Sequence, residues 1–153
     1  MPNTYTQVHI HFVFAVKNRR ALLDPSWRGE LFKYMTGILQ RNGHKVLALN
    51  GIEDHVHILI GLGTEHGLAR IMQVVKGDSS EWINKRGFCK ERFEWQGGYG
   101  AFAVQKTILM TVIRYIRNQE EHHRKESFKN EYLKILKEEE IDFDEKYLFK
   151  DPE

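Results

Sequence analysis

The segment Glu53-Asp54-His55-Val56-His57-Ile58-Leu59-Ile60 constrains the fold more than any other stretch of the chain. Val56, Ile58 and Ile60 alternate with His55, His57 and Leu59, the period of a half-buried strand. Both imidazoles therefore project from one face, and same-face neighbours on a strand lie about 7 Å apart at the backbone. Converging side chains can bring two ring nitrogens to one metal ion. Such a pair can also serve as ordinary hydrogen-bonding residues on a half-exposed face. A second strand pattern lies upstream. Val8, Ile10, Phe12, Phe14 and Val16 alternate with Gln7, His9, His11, Val13 and Ala15, ending in the basic turn Lys17-Asn18-Arg19-Arg20.

Helical and turn signals place the remaining elements. Ser26 is a candidate cap for a helix with the apolar stripe Trp27, Leu31, Met35 and Ile38, and Asn42-Gly43 stops it. His44 to Asn50 and Asp54 to Gly61 read as a hairpin that carries the histidine pair on its return strand. A second helix runs from about Gly67 to Lys85, with Leu68, Ile71, Met72, Val75 and Trp82 at helical spacing. Gln96-Gly97-Gly98-Tyr99-Gly100 leads into a short strand from Ala101 to Gln105. Thr107 is the candidate cap of a third helix carrying Val112, Tyr115, Ile116 and Gln119, and a last helix spans Phe128 to Lys137. The order β-α-β-β-α-β-α-α gives an α+β expectation: a ferredoxin-like, split βαβ antiparallel sheet with helices on one face and the other face free for a partner.

Charge is distributed unevenly. Residues 1–125 hold 18 Lys/Arg against 11 Asp/Glu, and residues 126–153 hold 5 against 10. A basic body with an acidic tail suits a phosphate-rich partner, although a solvated surface gives the same counts. The expectation is one domain over 1–153, divided into a core over 1–125 and a C-terminal helix and acidic tail over 126–153. Met1-Pro2-Asn3 shows no basic-then-apolar leader, and no apolar run reaches membrane-spanning length. The lone Cys89 has no internal disulfide partner, so a cytoplasmic setting is expected.

Tyr115 and Gln119 are spaced i, i+4 and share a helix face. Two histidines, a glutamine and a tyrosine can form a metal-assisted nucleophile, which points to phosphoryl transfer on nucleic acid. Neutral ligands leave the full charge of a divalent ion facing an anionic phosphate. Mg²⁺ or Mn²⁺ fits such a site, with Zn²⁺ or Ni²⁺ as substitutes. No phosphate-cradling G-x-x-x-x-G-K-[ST] occurs, no Asp/Glu cluster has metal-ligand spacing, and no acidic general base stands out. His9, His11, His44, His66, His122 and His123 receive no catalytic role.

At this point the chain resembles the single-tyrosine HUH transposases of the insertion-sequence-200/605 group, named for two histidines around a hydrophobic residue. The resemblance runs through Lys17-Asn18-Arg19-Arg20, Asp54-His55-Val56-His57-Ile58-Leu59 and Lys76-Gly77-Asp78-Ser79-Ser80. It continues through Trp95-Gln96-Gly97-Gly98-Tyr99-Gly100-Ala101-Phe102 and the stretch from Tyr115 to His123. It implies His55 and His57 as metal ligands, Gln119 as the third, and Tyr115 as the nucleophile on single-stranded DNA. The product would be a 5′-phosphotyrosine and a free 3′-OH, and rejoining would need no ATP. It also implies hairpin DNA as partner and a homodimer, in which the tyrosine helix of one subunit often completes the histidine site of the other. Arg19, Arg20, Lys76, Lys85, Arg86, Lys90 and Arg92 are candidate phosphate contacts, about half of them expected to be solvated only.

Three other readings compete. A domesticated relative acting on dispersed genomic palindromes would carry the same four residues. A non-enzymatic nucleic-acid-binding module would use the sheet, but RNA-binding ferredoxin-like domains place aromatics on the central strands. This chain has histidines there and lacks a K/R-G-F/Y-G/A-F pattern. A small-molecule metalloenzyme is disfavoured by the basic body.

Overall fold

The structure is a computed structural model that describes residues 4–123 and 127–141. Strand β1 (His9–Ala15) leads through a 3-10 turn to α1 (Pro25–Arg41), the hairpin β2 (Lys45–Gly51) and β3 (His55–Gly61), and α2 (Leu68–Arg86). Strand β4 (Gly100–Ala103), α3 (Leu109–Arg117), α4 (Gln119–His123) and α5 (Phe128–Glu138) complete the order. The four strands form one antiparallel sheet in the order β2-β3-β1-β4. The α+β class and the strand arrangement are those the sequence predicts.

Alternation decides which residues meet. On one face, Ile10, Phe12 and Phe14 of β1 join Val56, Ile58 and Ile60 of β3 in the main core. Helix α1 supplies Leu31, Met35 and Ile38 to it, and α2 supplies Ile71, Met72, Val75 and Ile83. The helices are tied laterally by stacked rings: Trp27 on Phe88 at 4.7 Å and Tyr34 on Trp82 at 5.0 Å between centroids. Helix α1 begins two positions earlier than the sequence suggests. Asp24, not Ser26, is the cap, and its carboxylate accepts from the Ser26 amide at 2.8 Å. Pro25 then takes the first helical position, where its missing N–H costs nothing. Gly43, at φ 86°, turns the chain out of the helix into β2.

The second sheet face is not free, and the expectation of helices on one face is corrected here. Val13, Ala15 and Phe102 pack with Phe128 and Leu136 of α5, while Ala48 and Leu59 pack with Ile113 and Ile116 of α3. The reason lies in the strands. Val13, Ala15 and Leu59 occupy the face shared with the histidines, and their apolar surface needs its own cover.

The third helix also departs from expectation. Thr107 lies in a 3-10 turn (Lys106–Ile108), and Ile108 caps α3 without a side-chain hydrogen bond. Asn118 (φ −99°, ψ 25°) ends α3, and Gln119 opens the short α4. Among the described residues, no helix is long and apolar enough to cross a membrane. The acidic tail beyond Ile141 lies outside the described residues.

Candidate active site

Strand register builds the site. Within the β1–β3 pair, Ala15 faces His55, Val13 faces His57 and His11 faces Leu59. His11, His55 and His57 therefore share one sheet face, and all three are buried. The His55 and His57 rings lie 5.0 Å apart between centroids, nearly perpendicular. Asp54 receives the Nδ1 side of His55 at 2.8 Å. That contact turns Nε2 inward, the carboxylate–histidine arrangement that commonly orients a metal-ligating ring. His57 is held by His11, whose Nε2 lies 2.8 Å from His57 Nδ1.

Helices close over the histidines. Gln119 is buried, with Oε1 3.2 Å from His55 Nε2 although 64 residues separate them. Its amide nitrogen points back to the Tyr115 carbonyl at 3.4 Å. The break at Asn118 thus leaves the expected Tyr115–Gln119 proximity intact. The Tyr115 ring stands edge-on to His57, 5.6 Å between centroids.

A residue the sequence reading passed over sits at the centre. Glu131 of α5 is 2% exposed. Its Oε1 lies 3.0 Å from His57 Nε2 and 3.4 Å from His55 Nε2. Its Oε2 lies 3.0 Å from His122 Nε2 and 3.2 Å from His123 Nε2, and it accepts the Tyr115 hydroxyl. Together His55, His57, His123 and Glu131 form a cluster that could hold a metal ion.

The electrostatics follow from this crowding. Burial disfavours the His55 cation, but Asp54 and Glu131 outweigh it and raise its pKa above the ordinary 6.5. Burial lowers His57 to about 4; Glu131 pulls the other way, while His55 and His123 reinforce the lowering. His11 is lowered to about 3 by burial and then by His57. Burial would raise Glu131, but hydrogen bonds from His123, His55 and His57 hold it well below the usual carboxylate range. The site thus combines a neutral ring, a ring inclined to be cationic and a firmly ionised carboxylate.

Residues 4–119 match the family model described as "Transposase IS200 like". The chain belongs to the IS200-like transposases. The ISDra2 transposase TnpA of Deinococcus radiodurans is 24% identical over 122 residues, covering 74% of this chain and 84% of that protein. A crystal structure from Deinococcus radiodurans, described as of a transposase, superposes with a TM-score of 0.63. It is 22% identical and covers 78% of this chain and 95% of that one. The REP-associated tyrosine transposase bound to a REP hairpin gives a TM-score of 0.59 at 15% identity, covering 80% and 73%. At these identities the two structures speak for the fold.

In this IS200-like transposase, the structure brings together all four residues singled out from the sequence: His55, His57, Tyr115 and Gln119. It adds His11, His122, His123, Asp54 and Glu131, which sequence reasoning left without a role. Two signals were available. His11 lies two positions from Val13 on a strand face that also carries histidines. Glu131 lies amid Phe128, Tyr132, Ile135 and Leu136, a carboxylate on the apolar stripe of its helix. Charged side chains on such a stripe are rarely buried without partners.

The candidate phosphate contacts fall elsewhere. Lys76, Lys85 and Arg92 line one cleft with Lys17, Asn18 and Gln96. Arg20 and Lys90 line a neighbouring depression. Lys76 Nζ donates to the Gln96 and Gly98 carbonyls at 2.7 and 2.8 Å. Lys85 pairs with Glu81, Arg20 with Glu91, and Arg86 with Glu30, the last stacking its guanidinium near Trp82 and Phe88. Arg92 reaches Glu94 at 3.9 Å, and Arg19 adopts a left-handed backbone at φ 51°.

Proposed function

We propose that this transposase cleaves and rejoins single-stranded DNA at hairpin-bearing element ends through a 5′-phosphotyrosine on Tyr115. The observation that carries the reading is the Tyr115 ring standing edge-on to buried His57 within one chain, its hydroxyl donating to Glu131, whose other oxygen faces both His55 and His57. In the proposed step the Tyr115 oxygen bonds to a backbone phosphorus. The bond from that phosphorus to the 3′-oxygen breaks, releasing a 3′-OH. A 3′-OH attacking the phosphotyrosine reverses the exchange, so bond energy is conserved and no nucleotide cofactor is required.

The donor set fits a divalent ion. His55 Nε2, His57 Nε2 and Gln119 Oε1 would hold Mg²⁺ or Mn²⁺, with Asp54 and His11 orienting the rings from behind. The ion would polarise the scissile phosphate and stabilise charge developing in the transition state. The hydrogen bond from Tyr115 fixes the nucleophile's hydroxyl beside those ligands.

Hairpin DNA is the proposed partner. Family membership supports it, as does likeness in fold to a transposase bound to a REP hairpin. Lysines and arginines along the cleft beside Gln96 are the proposed backbone contacts. The single-domain organisation over 1–153, the homodimer and the cytoplasmic setting belong to the same reading; the homodimer rests on the family alone.

The test is Tyr115→Phe, assayed with a hairpin-bearing single strand on a denaturing gel. Cleavage and the covalent protein–DNA species should both disappear while hairpin binding stays near wild type. A covalent species that persists in Y115F moves the nucleophile elsewhere and ends this reading.

A further inference from the structure

We infer that Glu131 is itself a metal ligand, so that α5 of the same chain completes the ion site of the DNA-free protein. The inference rests on the proposed metal site and adds a charged ligand that the His55, His57 and Gln119 set lacks.

Spacing is the first argument. Ligands at right angles around an octahedral ion with bonds of about 2.1 Å lie about 3.0 Å apart. Around a tetrahedral ion with bonds of about 2.0 Å the separation is about 3.3 Å. Glu131 Oε1 lies 3.0 Å from His57 Nε2 and 3.4 Å from His55 Nε2. Gln119 Oε1 lies 3.2 Å from His55 Nε2. These are separations expected of neighbouring ligands on one ion. His123 belongs to the same cluster, in which the donor atoms of His55, His57, His123 and Glu131 lie within 4.8 Å of one another.

Delivery is the second argument. The carboxylate does not arrive on a dangling side chain. Phe128, one turn earlier, stacks on the His55 ring at 4.0 Å between centroids. Phe128 and Leu136 anchor α5 in the apolar cluster with Val13, Ala15 and Phe102. Oε2 accepts the Tyr115 hydroxyl and lies 3.0 Å from His122 Nε2 and 3.2 Å from His123 Nε2, while Oε1 is the atom presented to both His55 and His57.

Charge is the third. Mg²⁺ and Mn²⁺ prefer oxygen donors, and carboxylates above all. A set of two imidazoles, one amide and one carboxylate meets that preference. It also lowers the net charge of the loaded site from +2 to +1. Through Oε2 the same carboxylate couples the ion to the nucleophile's hydroxyl.

The experiment measures Mn²⁺ affinity of the DNA-free full-length chain by isothermal titration calorimetry. The variants are Glu131→Gln, His57→Ala and Tyr115→Phe. Loss of an outer partner of a ligand already costs about 10–100-fold in affinity. E131Q should therefore weaken Mn²⁺ binding at least about tenfold, and more than Y115F, which removes only a hydrogen bond to the second carboxylate oxygen. Hydrogen exchange on the unaltered protein gives a second readout that does not depend on a variant folding. Amides of Phe128–Glu138 should exchange more slowly with Mn²⁺ than without. Unchanged or tighter Mn²⁺ binding by E131Q, or faster exchange in α5 on adding Mn²⁺, overturns the inference; tighter binding would mean that the carboxylate competes with the ion. If H57A binds Mn²⁺ like wild type, the underlying metal site fails instead, which separates the two outcomes.

Discussion

At the scale of single residues, the site concentrates polar groups that would be costly to bury apart. His55, His57, Gln119 and Glu131 are all buried, and each has a partner within the cluster. Gln119→Ala should weaken Mn²⁺ binding less than His55→Ala, because water can take the place of a neutral amide; comparative calorimetry checks the order. Acid should also destabilise the metal-free protein. His11 and His57 have folded pKa values of about 3 and about 4, below the ordinary 6.5. The unfolded chain then binds more protons between those values, so stability present above about pH 6.5 is lost as pH falls toward 3–4. Each ring contributes up to about 1.4 kcal/mol per pH unit in that window. Glu131, lowered in the fold, acts in the same direction below its ordinary carboxylate range. His55 is raised, so its contribution is present below pH 6.5 and fades at higher pH. Urea midpoints should therefore drop steeply from pH 6 to 4. A flat profile would mean that the buried rings titrate normally.

Among the elements, the β2–β3 hairpin and α5 do most to position the chemistry. A Cβ at Gly51 would lie 2.3 Å from the His55 carbonyl oxygen and 3.1 Å from the Val56 Cα. Both are backbone atoms, so the strands themselves would have to part. Gly51→Ala should cost about 1–3 kcal/mol, as overpacking does elsewhere, and should also weaken Mn²⁺ binding by shifting His55. Denaturant unfolding together with metal titration checks both effects. Loss of stability without any change in metal affinity would show that the strain relaxes away from the histidines. Helix α5 is held in large part by Phe128. Phe128 is 4% exposed and covers His55, so Phe128→Ala should cost about 3–5 kcal/mol and increase exchange of the α5 amides. An effect below about 1 kcal/mol would place α5 outside the cooperative core.

For the whole molecule, the arrangement is a sheet covered on both faces, with the main core on one and the histidine site embedded in the other. The proposed substrate form follows from the chemistry that single strands offer. A duplex is stiff and hides its base edges, whereas a hairpin beside a single strand presents shape and splayed bases. Cleavage should be confined to one strand of an element end when top strand, bottom strand and annealed duplex are assayed side by side. Binding should weaken steeply with added salt, since lysines and arginines displace counterions from phosphates. Equal cleavage of the annealed duplex would contradict the single-strand mechanism even with Tyr115 as nucleophile.

The sequence alone determined the four strands, the hairpin that carries His55 and His57, and the pairing of Tyr115 with Gln119. Strand alternation and helical spacing are local periodicities, written into neighbouring residues. It also revealed the family, because several short motifs occur in order along the chain. Tertiary structure alone decided that α3 and α5 cover the second sheet face. The apolar residues that demand this cover, Val13, Ala15 and Leu59, are interleaved with histidines and read as part of a polar face. It also decided that Glu131 meets His57 across 74 residues of sequence. No local period encodes that meeting. It depends on where an apolar helix docks, and docking is set by the shape of the whole surface that receives it.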